Sequence, residues 1–303
     1  MEKFERLYAL IKREVPSLEL RLREPMSRHT TFRVGGPAAL MAIPSCEEGL
    51  IAAVNLARQE GIEPLCIGLG SNLLVDDNGL SAFVIKTAPQ MNRCVVEGTV
   101  VTAWAGAPLA QVASLAAEHD LTGLEFAHGI PGSLGGAVTM DAGAYGGEMR
   151  QVVRSVRALN RRGEVEELSA EQCEFDYRHS VFSDGSRLIL SAAMQLEPGD
   201  GDKIRARMAD LMARRKEKQP LEWPSAGSTF KRPAGAFAAE LIDRCGLKGL
   251  TVGGAQVSEK HAGFMINIGG ATCADVLDLI DKVRREVYVK TGTLLETEVR
   301  VIV

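Results

Sequence analysis

The sequence predicts an α+β protein of two to three domains. Three observations lead to this expectation: the length of the chain, the mixing of short apolar strands with amphipathic helices, and two separate glycine-rich segments. The chain has 303 residues, of which 46% are hydrophobic, which is enough for a sizeable core and for more than one domain. We expect a domain boundary near residue 196, where PGDGD has the composition of a linker.

Composition and charge exclude several classes of protein. The formal net charge is −4, without the basic excess that is typical of nucleic-acid binding proteins. The six cysteines are scattered and the five histidines are isolated, so we expect reduced thiols and no metal site. The N-terminus, MEKFERLYALIKREV, is an amphipathic helix rather than a signal peptide. The uncharged stretch 98–117 is interrupted by polar residues, so we expect no membrane insertion and a cytoplasmic location.

Secondary-structure signals follow one another closely in the first two thirds of the chain. Ser45 and Glu48 predict a capping box at the start of a helix that Gly61 ends. Short strands are predicted at PLCIG, LLV and AFVIK, and a hairpin at CVVEGTVVTAWAG. A helix is predicted over PLAQVASLAAEHDLTG, opening at its proline and closing at Gly123. VVRSVRALNRRGEVEEL predicts a second hairpin, with its turn at 161–163.

The last hundred residues are richer in helix. A basic helix is predicted over 201–217 and another over AFAAELIDRCG, with a strand at GFMINI. Four apolar residues share one face of a long helix near the C-terminus, namely Val276, Ile280, Val283 and Val287. ETEVRVIV alternates strictly and predicts a strand with Glu296, Glu298, Arg300 and Ile302 on one face. The basic segment 205–220 is either a solvated helix face or a site for an anionic ligand.

Glycine is concentrated at Gly68–Asn72, GLGSN, and at Gly129–Glu148, GIPGSLGGAVTMDAGAYGGE. Glycine lets backbone N–H groups approach an anion closely, and SLGGAVTM can begin a helix whose N-terminus favours phosphate. Neither segment has the GK[ST] of a Walker A motif, and GLGSNL lacks the third glycine of the Rossmann fingerprint. Tight turns that only pack helices on strands are the structural alternative. Two such segments, far apart in sequence, favour one long ligand with a pyrophosphate, such as a dinucleotide.

Seven short segments carry a resemblance to a known family. They are TTFRVGGPA, GLGSNLL, GIPGSLGGAV with AGAYGGE, DYRHSVF, GSTFKRP, VSEKHAGFMIN and ETEVRVI. Their order resembles that of the UDP-N-acetylenolpyruvoylglucosamine reductases, also called UDP-N-acetylmuramate dehydrogenases, from about residue 28 to the C-terminus. The resemblance implies a vanillyl-alcohol-oxidase (PCMH)-type FAD-binding fold of two α+β subdomains, at 1–88 and 89–196, with a C-terminal α+β domain, at 197–303, that binds substrate.

The resemblance also implies the reaction and its participants. NADPH delivers hydride to a non-covalently bound FAD, which reduces the enolpyruvyl group of UDP-N-acetylglucosamine-enolpyruvate to UDP-N-acetylmuramate in peptidoglycan precursor synthesis. Such an enzyme has a small-molecule substrate and acts as a monomer or a weak dimer. No motif in the sequence distinguishes NADPH from NADH.

Three catalytic residues are implied. Hydride addition to an acrylate-like unit leaves a doubly anionic intermediate, which needs cationic or hydrogen-bonding partners and a proton donor. Arg178 in YRHSVF matches the cation that grips the carboxylate. Glu298, the acid directly before Val-Arg, matches the residue that stabilises the enolate with it; periodicity alone does not distinguish it from Glu296. Ser228 in AGST matches the proton donor, whereas from the residues alone it is a turn residue.

The remaining matches divide between cofactor and substrate. The implied FAD-binding residues are Val34, Gly35, Gly68, Leu69, Gly70, Ser71, Asn72, Leu73, Gly129, Ile130, Pro131, Gly132, Ser133, Gly135, Gly136, Ala137 and Gly143. The implied substrate-binding residues are Tyr145, Tyr177, Lys218, Gln219, Arg232 and Arg300. Only five residues separate Phe182 from Leu188, so the chain resembles the shorter, second type of the family, which lacks an inserted tyrosine loop.

Two alternatives remain open from the sequence. One is a flavin oxidase of the same domain type, which would pass electrons to oxygen and commonly links FAD covalently through histidine. The other is a nucleotide-binding or phosphate-sensing protein without catalysis, which would purify colourless or would bind the UDP-sugar without oxidising NADPH.

Overall fold

A computed structural model describes residues 2–303 of the chain. The chain forms two compact units, each assembled from separate stretches of sequence. The first unit comprises the described residues of Met1–Leu22, with Ala39–Leu69 and Ala82–Arg214. The second comprises Arg23–Ala38, Gly70–Ser81 and Arg215–Val303. The division into 1–88, 89–196 and 197–303 stays a prediction.

Helices occur along the whole described chain. The α-helices are α1 (Glu2–Glu14), α2 (Glu47–Gln59), α3 (Leu109–Glu118), α4 (Leu134–Thr139), α5 (Gly201–Lys218), α6 (Ala238–Arg244) and α7 (Cys273–Thr291). Short 3-10 turns lie at Met26–Arg28, Glu125–Ala127, Met149–Gln151 and Glu171–Cys173.

Strands are short and numerous. In chain order they are β1 (Glu19–Pro25), β2 (Pro37–Ile43), β3 (Leu65–Ile67), β4 (Leu73–Val75), β5 (Leu80–Lys86), β6 (Cys94–Glu97), β7 (Val100–Trp104), β8 (Leu121–Thr122), β9 (Gly143–Ala144), β10 (Gly147–Glu148), β11 (Val153–Leu159), β12 (Val165–Ser169), β13 (Leu188–Gln195), β14 (Glu197–Pro198), β15 (Ser225–Ser228), β16 (Thr251–Val252), β17 (Ala255–Val257), β18 (Phe264–Asn267) and β19 (Arg300–Ile302).

The first unit is built on two sheets. One has the strand order β1-β2-β5-β3, and the chain passes between the units within β1, β2 and β5. The other is a five-stranded antiparallel sheet of order β12-β11-β13-β7-β6. Each sheet has its own apolar core. The first is covered by α1 and α2 through residues such as Phe4, Leu7 and Leu50, and the second by α3 and α4 through Val112 and Leu134.

The second unit is built on the four-stranded sheet β15-β18-β17-β16 and on the parallel pair β19-β4. Helix α7 covers this core with the four apolar residues that the sequence places on one face, and all four are buried. Thr272 and Asp275 form a capping box at its start, and Gly292 ends it at a φ of +70°, as a left-handed C-cap requires.

The structure confirms the α+β class and most of the predicted elements. The amphipathic first helix, both hairpins, the basic helix, the strand at GFMINI and the turn at 161–163 are present. No helix among residues 2–303 has the length and apolar character needed to cross a membrane.

Three predicted details are wrong. Helix α2 begins at Glu47 with Cys46 as its N-cap, so Ser45 and Glu48 each lie one position before the N-cap and N3 positions that a capping box requires. Helix α3 ends at Glu118 rather than at Gly123, because Leu121 and Thr122 leave the helix to pair with β14. The C-terminal strand has three residues rather than eight, since only Arg300–Ile302 find strand partners on β4.

Candidate active site

The two glycine-rich segments meet within the first unit. A Cβ placed on Gly68 would overlap the hydroxyl oxygen of Ser133, so only glycine allows this approach. The Ser133 side chain is buried, and its Oγ atom has no hydrogen-bond partner in the protein. Because buried hydroxyls are normally paired, this unsatisfied oxygen fits a polar ligand group at the junction of Gly68 and Ser133.

The helix that follows does not offer its first N–H groups. The N–H of Leu134 donates to the carbonyl of Ala107 at 2.8 Å, and the N–H of Gly135 donates to that of Ala105 at 2.9 Å. A Cβ on Gly135 would lie 3.0 Å from the Cβ of Ala105. Gly135 therefore serves the packing of α4 against Ala105, which directly follows β7. The expectation that this helix start favours phosphate is not supported, since α4 has only six residues and these two donors are engaged.

The other predicted cofactor residues of this unit lie along the same two glycine-rich segments. Gly129, Ile130 and Pro131 lead into Gly132, whose carbonyl accepts the N–H of Leu109 at 2.9 Å. Ala137 is buried, whereas Gly136 is exposed and a Cβ there would lie 3.7 Å from Ser133 Oγ. Leu69 ends this stretch of the first unit.

A two-residue hairpin carries Tyr145 at its tip. Strands β9 and β10 pair through Ala144 with Gly147 and Gly143 with Glu148. Tyr145 and Gly146 both have positive φ, of +54° and +87°, which is the requirement of a type I′ turn. The tyrosine side chain is exposed, so the turn presents it outward. A non-glycine residue in this conformation is uncommon and marks a site worth functional attention.

Arg178 lies at the tip of a second tight turn in the same unit. Asp176 and His179 exchange backbone hydrogen bonds of 3.0 and 2.9 Å, and Arg178 between them has a φ of +56°. Its Nη1 donates to the carbonyl of Asp141 at 3.4 Å and its Nη2 to that of Gly143 at 3.3 Å. The turn and these carbonyls together set where the guanidinium lies.

Tyr177 lies on the same turn as Arg178, and Tyr145 lies on the hairpin whose Gly143 carbonyl accepts a hydrogen bond from Arg178. The guanidinium carbon of Arg178 lies 5.0 Å from the ring centroid of Tyr177, within cation–π range. Tyr145 follows Gly143, whose carbonyl Arg178 contacts, by two residues. The first unit therefore brings Arg178, Tyr177, Gly143 and Tyr145 into one neighbourhood.

Ser228 ends a bulged strand of the second unit. Ser225 pairs with Ile266 and Ser228 with Phe264, so the four residues 225–228 on β15 oppose the three residues 264–266 on β18. Gly227 takes up the extra residue at a φ of +76°, the conformation that glycine supplies in such bulges. Ser228 is exposed. Its position is therefore set by the bulge, and its hydroxyl is accessible.

Thr229 joins the serine to Glu298. Its N–H donates to the carbonyl of Gly263 at 2.9 Å, and its carbonyl accepts the N–H of Glu298 at 2.8 Å. Its hydroxyl also accepts the N–H of Met265 at 3.2 Å. Sequence analysis did not single out this buried threonine, because no local pattern marks a residue whose backbone joins two distant segments.

Asn72 anchors the other side of Glu298. Its Nδ2 donates to the carbonyl of Glu298 at 3.0 Å, and its own carbonyl accepts the N–H of Arg300 at 2.9 Å. The pairing continues from Leu73 along β4 and β19. Asn72, expected to bind FAD, thus also fixes the backbone of the candidate acid. Glu298 itself is half-buried, whereas Arg300 is exposed.

The predicted cofactor residues of the second unit form close backbone contacts. A Cβ on Gly35, which has a φ of +125°, would lie 2.8 Å from the Cβ of Val75. A Cβ on Gly70 would overlap the carbonyl oxygen of His29. The N–H of Val34 donates to the hydroxyl of Thr30 at 3.3 Å. Ser71 continues this stretch and is half-buried.

The remaining substrate candidates lie apart from this cluster in sequence. Lys218 is exposed at the end of α5, and the adjacent Gln219 has a buried Oε1 atom that accepts no hydrogen bond from the protein. Arg232 follows Ser228 by four residues, and its guanidinium carbon lies 4.4 Å from the ring centroid of Phe237. On α5, Asp210 pairs with Arg207 at 3.2 Å and with Arg214 at 2.9 Å, as on a solvated helix face.

Two segments of the chain match models of known protein families. Residues 38–169 match the family model described as an FAD binding domain. Residues 219–302 match the C-terminal domain of UDP-N-acetylenolpyruvoylglucosamine reductase. A UDP-N-acetylenolpyruvoylglucosamine reductase from Clostridioides difficile is 48% identical over 284 residues, which cover 94% of this chain and 93% of the relative. The chain belongs to the UDP-N-acetylenolpyruvoylglucosamine reductase family.

Two further members of the reductase family support the assignment over nearly the whole length. The reductase from Syntrophomonas wolfei is 45% identical and covers 98% of this chain and 99% of its own. The crystal structure of the reductase from Thermus caldophilus matches with a TM-score of 0.80 at 35% identity, covering 94% of this chain and 98% of that one. The protein is thus an FAD-dependent oxidoreductase of this family, and the predicted fold class is confirmed.

Proposed function

We propose that this protein reduces the enolpyruvyl group of UDP-N-acetylglucosamine-enolpyruvate to give UDP-N-acetylmuramate, with Arg178, Ser228 and Glu298 as its catalytic residues. The membership of the reductase family supports the reaction. The observation that carries the assignment of Ser228 and Glu298 is the backbone connection between them through Thr229, described above. FAD, when bound, supplies the hydride that it has received from NADPH, and the chain supplies the electrostatics and the proton.

Reduction of this substrate poses a charge problem. The alkene carries a carboxylate, so addition of hydride to one carbon places a second negative charge on the carboxylate and the adjacent carbon. That charge must be stabilised by groups already in place, because reorganising water around it would cost free energy during the reaction. The adjacent carbon must then receive a proton.

Arg178 meets the first requirement. A guanidinium is positive at any physiological pH and can hold a carboxylate through two parallel N–H donors. The left-handed turn and the carbonyls of Asp141 and Gly143 hold it in one place. Neither carbonyl carries a formal charge, so these two contacts orient the group without neutralising it.

Ser228 supplies the proton. An alcohol is a weak acid, but the carbon that it protonates is strongly basic once hydride has been added. The O–H bond of the serine breaks as the C–H bond forms, and water then restores the hydroxyl proton. An accessible hydroxyl, placed by a bulge that Gly227 makes possible, suits this role.

Glu298 acts with Arg178 on the developing enolate. A carboxylic acid donates a hydrogen bond to an enolate oxygen only in its protonated form. Its backbone is held from both sides, by Thr229 and by Asn72, so its side chain starts from a fixed point. Arg300, Arg232, Lys218, Gln219, Tyr145 and Tyr177 are the residues that we propose for the rest of the substrate.

The cofactor fits the residues present. The unsatisfied oxygen of Ser133, and the approach that only glycine at 68 permits, suit the polar part of a dinucleotide. We propose that FAD is held without a covalent bond by the glycine-rich segments around Gly68 and Ser133, and by the loop that contains Val34 and Gly35. All six cysteines are free thiols, which supports a cytoplasmic enzyme, and we propose a monomer or a weak dimer.

A direct assay tests this function. The purified protein should be yellow, should release FAD on acid precipitation, and should oxidise NADPH only when UDP-N-acetylglucosamine-enolpyruvate is present. NADPH oxidation that depends on oxygen alone would indicate a flavin oxidase. Colourless protein that binds the UDP-sugar without turnover after incubation with FAD would indicate a binding protein.

A further inference from the structure

The Asp141 carboxyl is a buried ionisable group of the first unit to which the proposed reaction gives no role. Its side chain is fully buried, and its backbone has a φ of +40°. It lies between the end of α4 at Thr139 and the start of β9 at Gly143. A buried carboxyl in a left-handed conformation costs stability twice, once through desolvation and once through the backbone.

The carboxyl holds the backbone that follows the hairpin. Its Oδ1 accepts the N–H of Arg150 at 2.9 Å, and its Oδ2 lies 3.4 Å from Nε of the same arginine. Beside it, the N–H of Met149 donates to the carbonyl of Ala142 at 3.1 Å. These bonds tie residues 141–142 to the 3-10 turn at Met149–Gln151.

The same short segment carries the two carbonyls that contact Arg178. Asp141 provides one through its own backbone, and Gly143 provides the other. Any movement of residues 141–143 therefore moves the two carbonyl oxygens that accept hydrogen bonds from the Arg178 guanidinium. The carboxyl that accepts the N–H of Arg150 and one carbonyl that contacts Arg178 thus belong to the same residue, Asp141.

Burial and charged neighbours both shift the pKa of this carboxyl. Burial is the main cause that raises the pKa of Asp141, and the nearby Glu148 carboxyl raises it further, whereas Arg150 lowers it through its N–H and its charge. Arg150 also pairs with Glu148. The Asp141 carboxyl therefore belongs to a cluster of two acids and one arginine, beside a segment that contacts a second arginine.

We propose that Asp141 is a positioning residue for Arg178, and that its carboxyl orients the guanidinium by fixing the segment 141–143 against the N–H of Arg150. This inference rests on the proposed function, in which Arg178 contacts the carboxylate of the substrate. The essential property of residue 141 is an oxygen that accepts the N–H of Arg150. Asparagine retains such an oxygen and alanine does not.

A double-mutant cycle with holoenzyme tests the proposal. Asp141→Ala should lower kcat/KM for the UDP-sugar by about tenfold, a size typical of couplings between contacting residues. Asp141→Asn should restore most of that loss. In an Arg178→Ala background, Asp141→Ala should change kcat/KM by less than about twofold, because its effect passes through the missing guanidinium.

A matched control separates positioning from general damage. Asp200 also accepts backbone N–H groups through its Oδ1, those of Asp202 and Lys203. It belongs to the same unit and lies directly before helix α5. Asp200→Ala should leave kcat/KM near the parent value in both backgrounds. Flavin content and the KM for NADPH should match the parent in every variant.

Each outcome has one meaning. Equal losses from Asp141→Ala in the parent and Arg178→Ala backgrounds would overturn the positioning role and leave the proposed function intact. Near-parent activity of Arg178→Ala alone would instead overturn the catalytic role of Arg178 on which this inference rests, whereas the absence of UDP-sugar turnover in the parent enzyme would overturn the proposed function. If Asp141→Ala yields no holoenzyme, Asp141→Leu, whose side chain is close to that of aspartate in shape but has no acceptor oxygen, completes the same cycle.

Discussion

The backbone N–H of Glu298 donates a 2.8 Å hydrogen bond to the carbonyl oxygen of Thr229. Thr229 directly follows Ser228, so the candidate acid and the candidate proton donor extend from backbones joined by one hydrogen bond. The two residues are 70 positions apart in the sequence. Backbone bonds hold this relationship, which makes it independent of the side chains that the following experiments remove.

Replacement of Ser228 by alanine tests the proton donor. We expect Ser228→Ala to lower kcat by at least about 10², the usual effect of losing one preorganised catalytic group. Bound FAD and its reduction by NADPH should be unaffected, because neither needs this hydroxyl. Ser225→Ala is the control, since Ser225 lies on the same strand and has no proposed role. Equal turnover of the two variants would remove Ser228 from the mechanism.

Two glutamates near the C-terminus provide a matched pair. Glu298→Ala should lower kcat by at least about 10², whereas Glu296→Ala should stay near the parent rate. Glu296 is exposed, with its carboxylate 3.7 Å from the ammonium group of Lys231, and exposed pairs of this kind contribute little. Steady-state assays of both variants decide the matter. A larger loss for Glu296→Ala would show that the wrong glutamate had been assigned.

A substitution at Gly136 is expected to affect cofactor binding without affecting folding. A Cβ there would lie 3.7 Å from Ser133 Oγ, an ordinary contact, and would meet no other atom as closely. Gly136→Ala should therefore leave the melting temperature of the FAD-free protein unchanged or slightly raised, while weakening FAD binding by about tenfold or more. Gly49→Ala, within helix α2, should change neither FAD binding nor activity. Unaltered affinity of Gly136→Ala for FAD, measured by fluorescence titration, would remove Gly136 from the cofactor site.

The raised pKa of Asp141 predicts a pH-dependent effect on stability. The folded protein binds more protons here than the unfolded chain between the ordinary aspartate pKa and the raised one, so this group lowers stability as pH rises through that range. Asp141→Asn removes the charge. The free energy of unfolding of Asp141→Asn, relative to that of the parent, should increase as pH rises from about 4 to 7.5, since the unfolded pKa of an aspartate is about 3.9.

Asp184 gives a control of opposite sign for that experiment. A hydrogen bond from the N–H of Ser186 lowers the pKa of Asp184, so this group adds stability above the ordinary aspartate pKa and loses it as pH falls. Asp184→Asn should therefore lose stability relative to the parent as pH rises from about 2 to 5, the range around and below the ordinary aspartate pKa of about 3.9. Chemical denaturation at several pH values measures both. Parallel curves for Asp141→Asn and the parent would contradict the raised pKa.

Periodic elements could be predicted from the sequence, and boundaries set by distant partners could not. Helix α7 follows from the spacing of Val276 and its apolar neighbours and from Gly292, all of which act locally. The end of α3 does not, because Leu121 leaves the helix to pair with Pro198, far along the chain. The short C-terminal strand has the same cause, since its length is set by β4 rather than by its own alternation.

The candidate site could also be predicted only in part from the sequence. Its residue types could be identified from motifs such as DYRHSVF and GSTFKRP. The contacts that place them could not, since Thr229 and Asn72 act on Glu298 through backbone atoms. Nor does any local pattern indicate that Arg178 lies on the carbonyls of Asp141 and Gly143. Such contacts depend on the fold, and the amino-acid types at these positions do not indicate them.

The role of Arg178 in stabilising charge on the substrate is the central claim, and anaerobic stopped-flow of Arg178→Ala tests it most directly. The variant is first reduced with NADPH and then mixed with UDP-N-acetylglucosamine-enolpyruvate, and flavin absorbance is followed. We predict normal reduction by NADPH and reoxidation by the substrate at least about 10²-fold slower than in the parent. Reoxidation within about threefold of the parent rate, less than 1 kcal/mol of lost transition-state stabilisation, would contradict the account.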